Sequence, residues 1–393
     1  MTRLLLGKAL ILLLQSGVFG KQADQQCPFD VIPPPIEQDS FHEFHSCPPL
    51  RPRSSPVHVK DLRIDDFGVV MGIGDSVMAG LNSDIPLIPE MTNPKCRKLI
   101  KKVESRGASF ASGGDAKFSV ANGIKKYNPN VIGLSYGASE FEFCYGPICP
   151  MGTFLQPFNV PSLGLSAAQS GAWVTRCNID NQFKYYDLFY KSKFVSPDAV
   201  DPWKLMLFLM GFNNLCLSCL PDTEKYIFSP DIFEQNVRYA LDNAKKRFDK
   251  MVVVLFGLFS VSKLKESIQK DPIATQIRKL QAFSCPCMSD ESFKMNELTT
   301  EYNKRLQKIA LDYQSDTFAV IYEGGLSTAD LSNVAAQDAL SGTDAFHPNQ
   351  KTHGRIAANI WNSLVGSSNQ TTDFDFSKPV KLQCPTDDSR ILS

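Results

Sequence analysis

Five short apolar runs, each rich in β-branched or aromatic residues, recur along the chain: Phe67–Ile73, Val131–Ser135, Lys204–Met210, Met251–Phe256 and Thr317–Tyr322. Between them, apolar residues fall at helical spacing. Ser229-Pro230 forms an N-cap and first-turn proline, after which Phe233, Val237, Leu241, Ala244 and Phe248 keep one face. Met295, Leu298, Tyr302, Ile309 and Tyr313 mark a second amphipathic helix, and Ile356, Ile360 and Leu364 a third. Runs this short and this uniformly apolar, alternating with helices, call for a parallel sheet covered on both faces. The expected architecture is α/β, a three-layer α/β/α sandwich around a central, mostly parallel sheet. No internal repeat breaks the alternation, so one domain over residues 66–367 is expected.

The flanking segments read differently. Arg3 and Lys8 precede the apolar stretch Ala9–Leu14, and small Val18 and Gly20 follow. That is the order of a secretory signal peptide, expected over residues 1–20. The stretch falls short of the ~20 apolar residues that span a bilayer. Residues 21–65 form a proline-rich arm and residues 368–393 a polar tail. A secreted, extracellular chain makes disulfides the default for Cys27, Cys47, Cys96, Cys144, Cys149, Cys177, Cys216, Cys219, Cys285, Cys287 and Cys384. Their odd number leaves at least one out, and spacing does not reveal the pairing. Cys216-x-x-Cys219 with Cys285-Pro-Cys287 is poorly spaced for zinc and has no histidine nearby in sequence, so no metal or other cofactor is expected. Asn369-Gln-Thr371 is a glycosylation sequon. Forty-one basic residues against 41 acidic ones give no electrostatic case for a nucleic-acid partner.

In an open α/β sheet, chemistry sits at the carboxyl ends of the strands. Gly74-Asp75-Ser76 ends the first predicted strand and places a serine hydroxyl where a helix begins, with backbone N–H groups at hand for a developing anion. A nucleophilic serine needs a base, and histidine is the usual one. Of five histidines, His42, His45 and His58 lie in the arm, and His353 falls on the last helix without an acidic residue nearby, as a solvated helix histidine would. His347 remains, in a loop after the last strand. Asp344, three residues before it, is placed to hold Nδ1–H and leave Nε2 for the serine. Asn213, after the strand Lys204–Met210, and Gly164, through its backbone N–H, are candidate oxyanion donors.

Order and separation of these pieces resemble the SGNH (GDSL) esterase superfamily. The resemblance is closest to its animal phospholipase B branch and spans roughly residues 55–365. It is carried by Val57-His-Val-Lys-Asp-Leu-Arg63, Gly74-Asp75-Ser76, Ser112-Gly-Gly-Asp115, Lys126-Tyr-Asn-Pro129 and Asn213-Asn-Leu-Cys216-x-x-Cys219. Cys285-Pro-Cys287 and Phe346-His347 leading to Trp361-Asn362 complete it. The resemblance implies a flavodoxin-like SGNH fold, and a secreted serine esterase acting on phospholipids and lysophospholipids without a cofactor. By the same token it implies Ser76 as nucleophile, His347 as base and Asp344 as its orienter. The Ser76 and Gly164 N–H groups and the Asn213 side chain would form the oxyanion hole. One departure stands out. The family keeps Gly-Gly-Asn-Asp where this chain has Gly211-Phe212-Asn213-Asn214, and losing that charge motivates the alternative of a weak or inactive lipid-binding relative.

Gly133-Leu-Ser135-Tyr-Gly137 competes as a G-x-S-x-G nucleophile elbow, but no helix pattern follows it, and Pro147 and Pro150 oppose one. Lys95, Arg97, Lys98, Lys101 and Lys102 lie on a probable helix as a solvated face or an approach surface for anionic headgroups, so transient contact with lipid surfaces is in view. Phe141, Phe143, Phe154 and Phe158 are read as core or as the walls of an acyl groove.

Overall fold

The computed structural model describes residues 34–101, 103–140, 158–194, 201–221, 227–289, 294–366 and 374–391. Four of the five apolar runs form one parallel sheet of β1 (Phe67–Gly74), β2 (Trp203–Leu209), β3 (Met251–Phe256) and β4 (Phe318–Glu323), in the spatial order β1-β2-β3-β4. Nearly every residue in these strands is buried, which is why they read as continuous apolar runs rather than alternating ones. The fifth run does not make a full strand. Ile132 bridges to Val69 on the free edge of β1, the chain departs, and Leu165–Ala167 returns to continue the same edge beside Gly72. One strand position is thus shared by two pieces of chain.

Connections set the layers. The crossovers β1 to β2, β2 to β3 and β3 to β4 all step in one direction, so right-handed crossovers put their helices on one face. These are α3 (Arg176–Phe189), α5 (Pro230–Arg247) and α8 (Met295–Asp312), and α5 packs against both others. The step from β1 to the edge position around Ile132 runs the opposite way. Its helix α2 (Val120–Tyr127) packs with α9 (Gln350–Val365) as the other layer. Chain therefore leaves neighbouring strand positions toward opposite faces at the carboxyl end of β1, and a crevice opens there.

The cap expected at Ser229 is present, and α9 is capped in the same way by a residue the sequence reading did not name. Ser229 Oγ accepts the Ile232 N–H above Pro230, and Asn349 Oδ1 accepts the Thr352 N–H at the start of α9. His353 departs from expectation. It is fully buried rather than solvated, stacked on Phe110, with Nδ1 accepting the Phe110 N–H at 3.2 Å. Burial, with the neighbouring His347 adding to it, pushes its pKa down to about 3, so it stays neutral.

Arm and tail are both packed onto the domain. Phe41 and Phe44 of the arm bury against Phe118 and Trp361, while Phe374 and Phe376 of the tail are buried as well. A Cys47–Cys384 disulfide joins the two segments, and Arg355 of α9 holds both through Asp39 and the Phe376 carbonyl. Closing so long a loop restricts the unfolded chain strongly. Two further disulfides, Cys216–Cys285 and Cys219–Cys287, use the four cysteines weighed as zinc ligands. Residues 1–20, Cys27, Lys102, Phe141, Phe143, Cys144, Cys149, Phe154 and the Asn369 sequon lie outside the described residues. Phe158 packs against Tyr185 and Phe189 as core. Among the described residues no helix is long and apolar enough to cross a membrane.

Candidate active site

Ser76 opens the short helix α1 (Ser76–Ala79) directly after β1. Asp75 shapes this junction. Its Oδ1 accepts the Val77 N–H at 3.0 Å, and its Oδ2 faces the Gly211 N–H beyond β2 at 3.4 Å. Burial pushes the Asp75 carboxyl up to about 6, against the pull of those backbone donors and of His347. On the other side, the Gln182 side chain of α3 clips Gly74 in both directions, accepting its N–H and donating to its carbonyl, each at 2.9 Å. The serine thus projects from a strand end held by groups from distant parts of the chain.

His347 reaches it from 271 residues away, with Nε2 2.7 Å from Ser76 Oγ. Asp344 Oδ2 lies 2.5 Å from His347 Nδ1, while Asp344 Oδ1 accepts the Phe346 and His347 N–H groups at 3.0 and 3.1 Å. Three residues suffice for this turn because Ala345 takes a positive φ of 49°, a conformation unusual for an alanine and one that stores strain in the loop. The loop is docked onto the chain just past α1. Ser341 Oγ donates to the Asn82 carbonyl, Gly342 N–H to that of Ile85, and Gln350 N–H to that of Ser83. Burial alone would raise the Asp344 carboxyl, but the His347 ring, its hydrogen bonds and Arg278 hold it well below the usual carboxylate range. An ionised acid on one ring nitrogen and a hydroxyl on the other make up the arrangement needed to take a proton from the serine.

Asn213 lies in α4 (Phe212–Leu217), which follows the positive-φ Gly211 at the end of β2. A Cβ at Gly211 would press on Leu258 at 2.7 Å, so the tight entry into α4 needs glycine. Asn213 Nδ2 donates to the Ala172 carbonyl at 3.0 Å, leaving its second hydrogen for another acceptor. Asn214, where the family keeps aspartate, is fully buried and its Oδ1 accepts the Val174 N–H at 2.9 Å. The amide therefore still holds the loop that a carboxylate would hold, while its own Nδ2 has no partner among the described residues.

Gly164 does not meet its expectation. Its N–H donates to the Val160 carbonyl, its carbonyl accepts from Tyr185, and a Cβ would strike the Leu134 carbonyl oxygen at 2.2 Å. It is a close-approach glycine whose N–H is already committed. The residue better placed is Gly171, in the turn Gln169–Ala172 beyond the end of β1. Gln169 N–H bonds the Gly74 carbonyl, the next residue after Gly171 receives Asn213, and φ at Gly171 is +81°. Among the described residues no acceptor takes its N–H. Sequence reading missed it although Ser166-Ala-Ala-Gln-Ser-Gly-Ala172 carries a signal, a run of small residues where backbone must approach a neighbouring strand end. Gln182, which with Asn178 puts amides on a helix face otherwise carrying Ile179, Phe183 and Tyr186, was also legible there.

The Gly171 turn is fastened from beneath by a fully buried ion pair. Arg106 and Glu104 meet at 2.5 Å. Arg106 donates to the Ser166 and Ala168 carbonyls, and Glu104 Oε1 accepts both the N–H and the hydroxyl of Ser170. Ser135, the rival serine, is elsewhere. Its Oγ bonds the Leu163 carbonyl at 2.6 Å and Ser112 Oγ at 2.8 Å, and Ser139–Glu140 after it pairs as a strand with Val103–Glu104 where an elbow needs a helix.

The fold and the serine–histidine–aspartate arrangement define a class, and the sequence matches it directly. Residues 70–360 match the GDSL-like lipase/acylhydrolase family, and the chain belongs to it. Family chemistry is carboxylic ester hydrolysis. Within the class, the chain is 25% identical over 386 residues to the mouse protein named phospholipase B1, membrane-associated. It is 27% identical to the rat protein of that name over 372 residues and 23% to the human one over 358. These alignments cover 91%, 88% and 86% of this chain but only 23%, 23% and 22% of the relatives, so the chain spans about a quarter of their length.

Proposed function

We propose that this protein hydrolyses the acyl ester bonds of phospholipids and lysophospholipids with Ser76 as nucleophile, His347 as general base and Asp344 as its orienter. The reading rests above all on the buried chain Ser76 Oγ, His347 Nε2, His347 Nδ1, Asp344 Oδ2. Ser76 Oγ attacks the ester carbonyl carbon as its proton passes to His347 Nε2. The tetrahedral oxyanion lies toward the N–H groups of Ser76 and Gly171 and the Asn213 amide. His347 then gives the proton to the departing alcohol oxygen, leaving an acyl-Ser76 ester. Water attacks that ester, His347 takes its proton, and the fatty acid leaves as Ser76 regains its hydrogen. Lipid substrates come from the names of the relatives and from family membership.

We further propose that residues 1–20 are a cleaved signal and that the chain is secreted, with residues 21–65 as arm, 66–367 as catalytic domain and 368–393 as tail. The disulfides among the described residues support an oxidising compartment. A fluorophosphonate probe, paired with release of fatty acid from a lysophospholipid, tests the chemistry. Labelling and release in the natural chain, both lost in Ser76→Ala, are expected. Absence of label in the natural chain would favour the lipid-binding alternative, and label surviving in Ser76→Ala would move the nucleophile.

A further inference from the structure

Two surface segments flank the loop that carries Asp344 and His347. One is the helix Pro94–Leu99, and the other is the end of α7 (Pro272–Leu280) with the turn Gln281–Ser284. Each sends one arginine inward. Arg97 Nη2 donates to the Thr343 carbonyl at 2.5 Å, and Arg278 Nη1 to the Asp344 carbonyl at 3.3 Å. The turn Pro89–Thr92 packs against both segments and joins them into one surface.

With the arginines turned in, their neighbours face water. Leu99, Leu280 and Phe283 are 61%, 44% and 59% exposed, an arrangement that costs solvation free energy unless something covers it. Exposed lysines stand beside them: Lys95 and Lys98 next to Leu99, and Lys279 next to Leu280. Lys101, just beyond, pairs with Glu140. Over residues 89–101 and 271–284 the basic residues are Lys95, Arg97, Lys98, Lys101, Arg278 and Lys279, while the acidic ones are Glu90 and Asp271. Asp271 is engaged in capping α7. Glu140 beside Lys101 and Asp344 beside the two arginines bring the acidic residues to four against six basic ones, a local excess of two in a chain with 41 charges of each sign, placed around exposed apolar side chains.

We propose that this surface docks on an anionic phospholipid bilayer, with Leu99, Leu280 and Phe283 entering the headgroup region and the lysines meeting lipid charge. Docking there would hold the histidine loop, and the crevice it closes, against the substrate layer. The proposal rests on the lipid-hydrolase reading for its purpose but not for its test. Ser76→Ala protein, which cannot turn over, is sedimented with vesicles of phosphatidylcholine alone or with phosphatidylserine added. Binding is expected to require phosphatidylserine and to weaken as salt rises.

Replacing Leu99, Leu280 and Phe283 together by serine, or Lys98 and Lys279 by glutamate, should weaken it at least about tenfold. In the active chain the same changes should slow hydrolysis of vesicular lipid while leaving a soluble short-chain ester unaffected. Vesicle binding that is unchanged in both variants, or absent in the parent, overturns the proposal. So does a parent dimer that the serine variant converts to monomer, which would assign the face to a second copy of the chain. Failure of the parent to cleave the soluble ester would instead count against the hydrolase reading and leave the sedimentation result standing.

Discussion

Ser76 and Ser135 are both buried and both sit in motifs known for nucleophilic serines, one at the end of β1 and the other bridged to Gly113. Their surroundings differ. Ser135 is enclosed by the Leu163 carbonyl and Ser112, which use its hydroxyl as a structural tie across the place where the divided edge strand leaves and returns. Ser76 meets the ring of His347, backed by an ionised aspartate, at the point where chain departs toward both faces of the sheet. A serine becomes a candidate nucleophile through what the rest of the fold brings to its hydroxyl, and a local motif does not carry that information.

The largest expected contrast is between the two serines themselves. Ser76→Ala should lower ester turnover by about 10⁴-fold or more with the fold intact. Ser135→Ala should keep turnover within about threefold and instead lose about 1–3 kcal/mol of stability as two buried hydrogen bonds vanish. Turnover assays and urea melts on both variants read this, and the reverse pattern would exchange their roles. Next, Asp344→Asn should cost about 10²–10⁴-fold in kcat, because an amide no longer favours the tautomer with Nε2 open to Ser76. Single-turnover kinetics would show it, and a wild-type rate would remove Asp344 from the mechanism. Asn213→Ala should cost about 10²–10³-fold in kcat with little change in KM, as expected for a donor used only in the transition state.

Asp75 offers a prediction in stability rather than rate. Its carboxyl, ordinarily near 3.8, is pushed up to about 6 by burial, so the folded chain prefers it protonated. That contribution is fully present below about 3.8 and is lost as pH rises through about 6, amounting to about 3 kcal/mol. Asp75→Asn, neutral throughout, should flatten the fall in melting temperature across that window. Asp344 acts with the opposite sign, because its carboxyl is held low. Its contribution is present above about 3.8 and fades only in more acid solution, outside the Asp75 window. The smallest effect expected is at the buried ion pair. Ser170→Ala and Ser139→Ala each remove a hydroxyl facing Glu104, but only Ser170 belongs to the Gly171 turn. A drop in kcat of about three- to tenfold is expected for Ser170→Ala alone. Equal rates would make the network purely structural.

Much of this arrangement was legible in order along the chain. The four full strands came from runs of uniformly apolar residues, and α5, α8 and α9 from helical spacing, with a cap read at α5, because both signals depend on neighbours within a few residues. Ser76, Asp344 and His347 were legible as well, since a turn of three residues can place an acid on its own histidine and elimination left one histidine to meet the serine. Gly164 misled for the same reason that Gly171 went unnoticed. Both are positive-φ glycines, one on each side of the edge piece Leu165–Ala167, and only the bonds to Val160, Tyr185, Gln169 and Asn213 tell a committed N–H from an open one.

By itself, then, the sequence determined the class of fold and the order along the chain of the residues proposed for the chemistry, because periodicity, capping and turn chemistry are short-range effects. Tertiary structure alone decided which glycine keeps its N–H open, that His353 is buried and neutral, and that Cys47 closes on Cys384. Each of those outcomes depends on residues tens to hundreds of positions apart, brought together by a crossover or a shared buried layer, and no local pattern carries that distance.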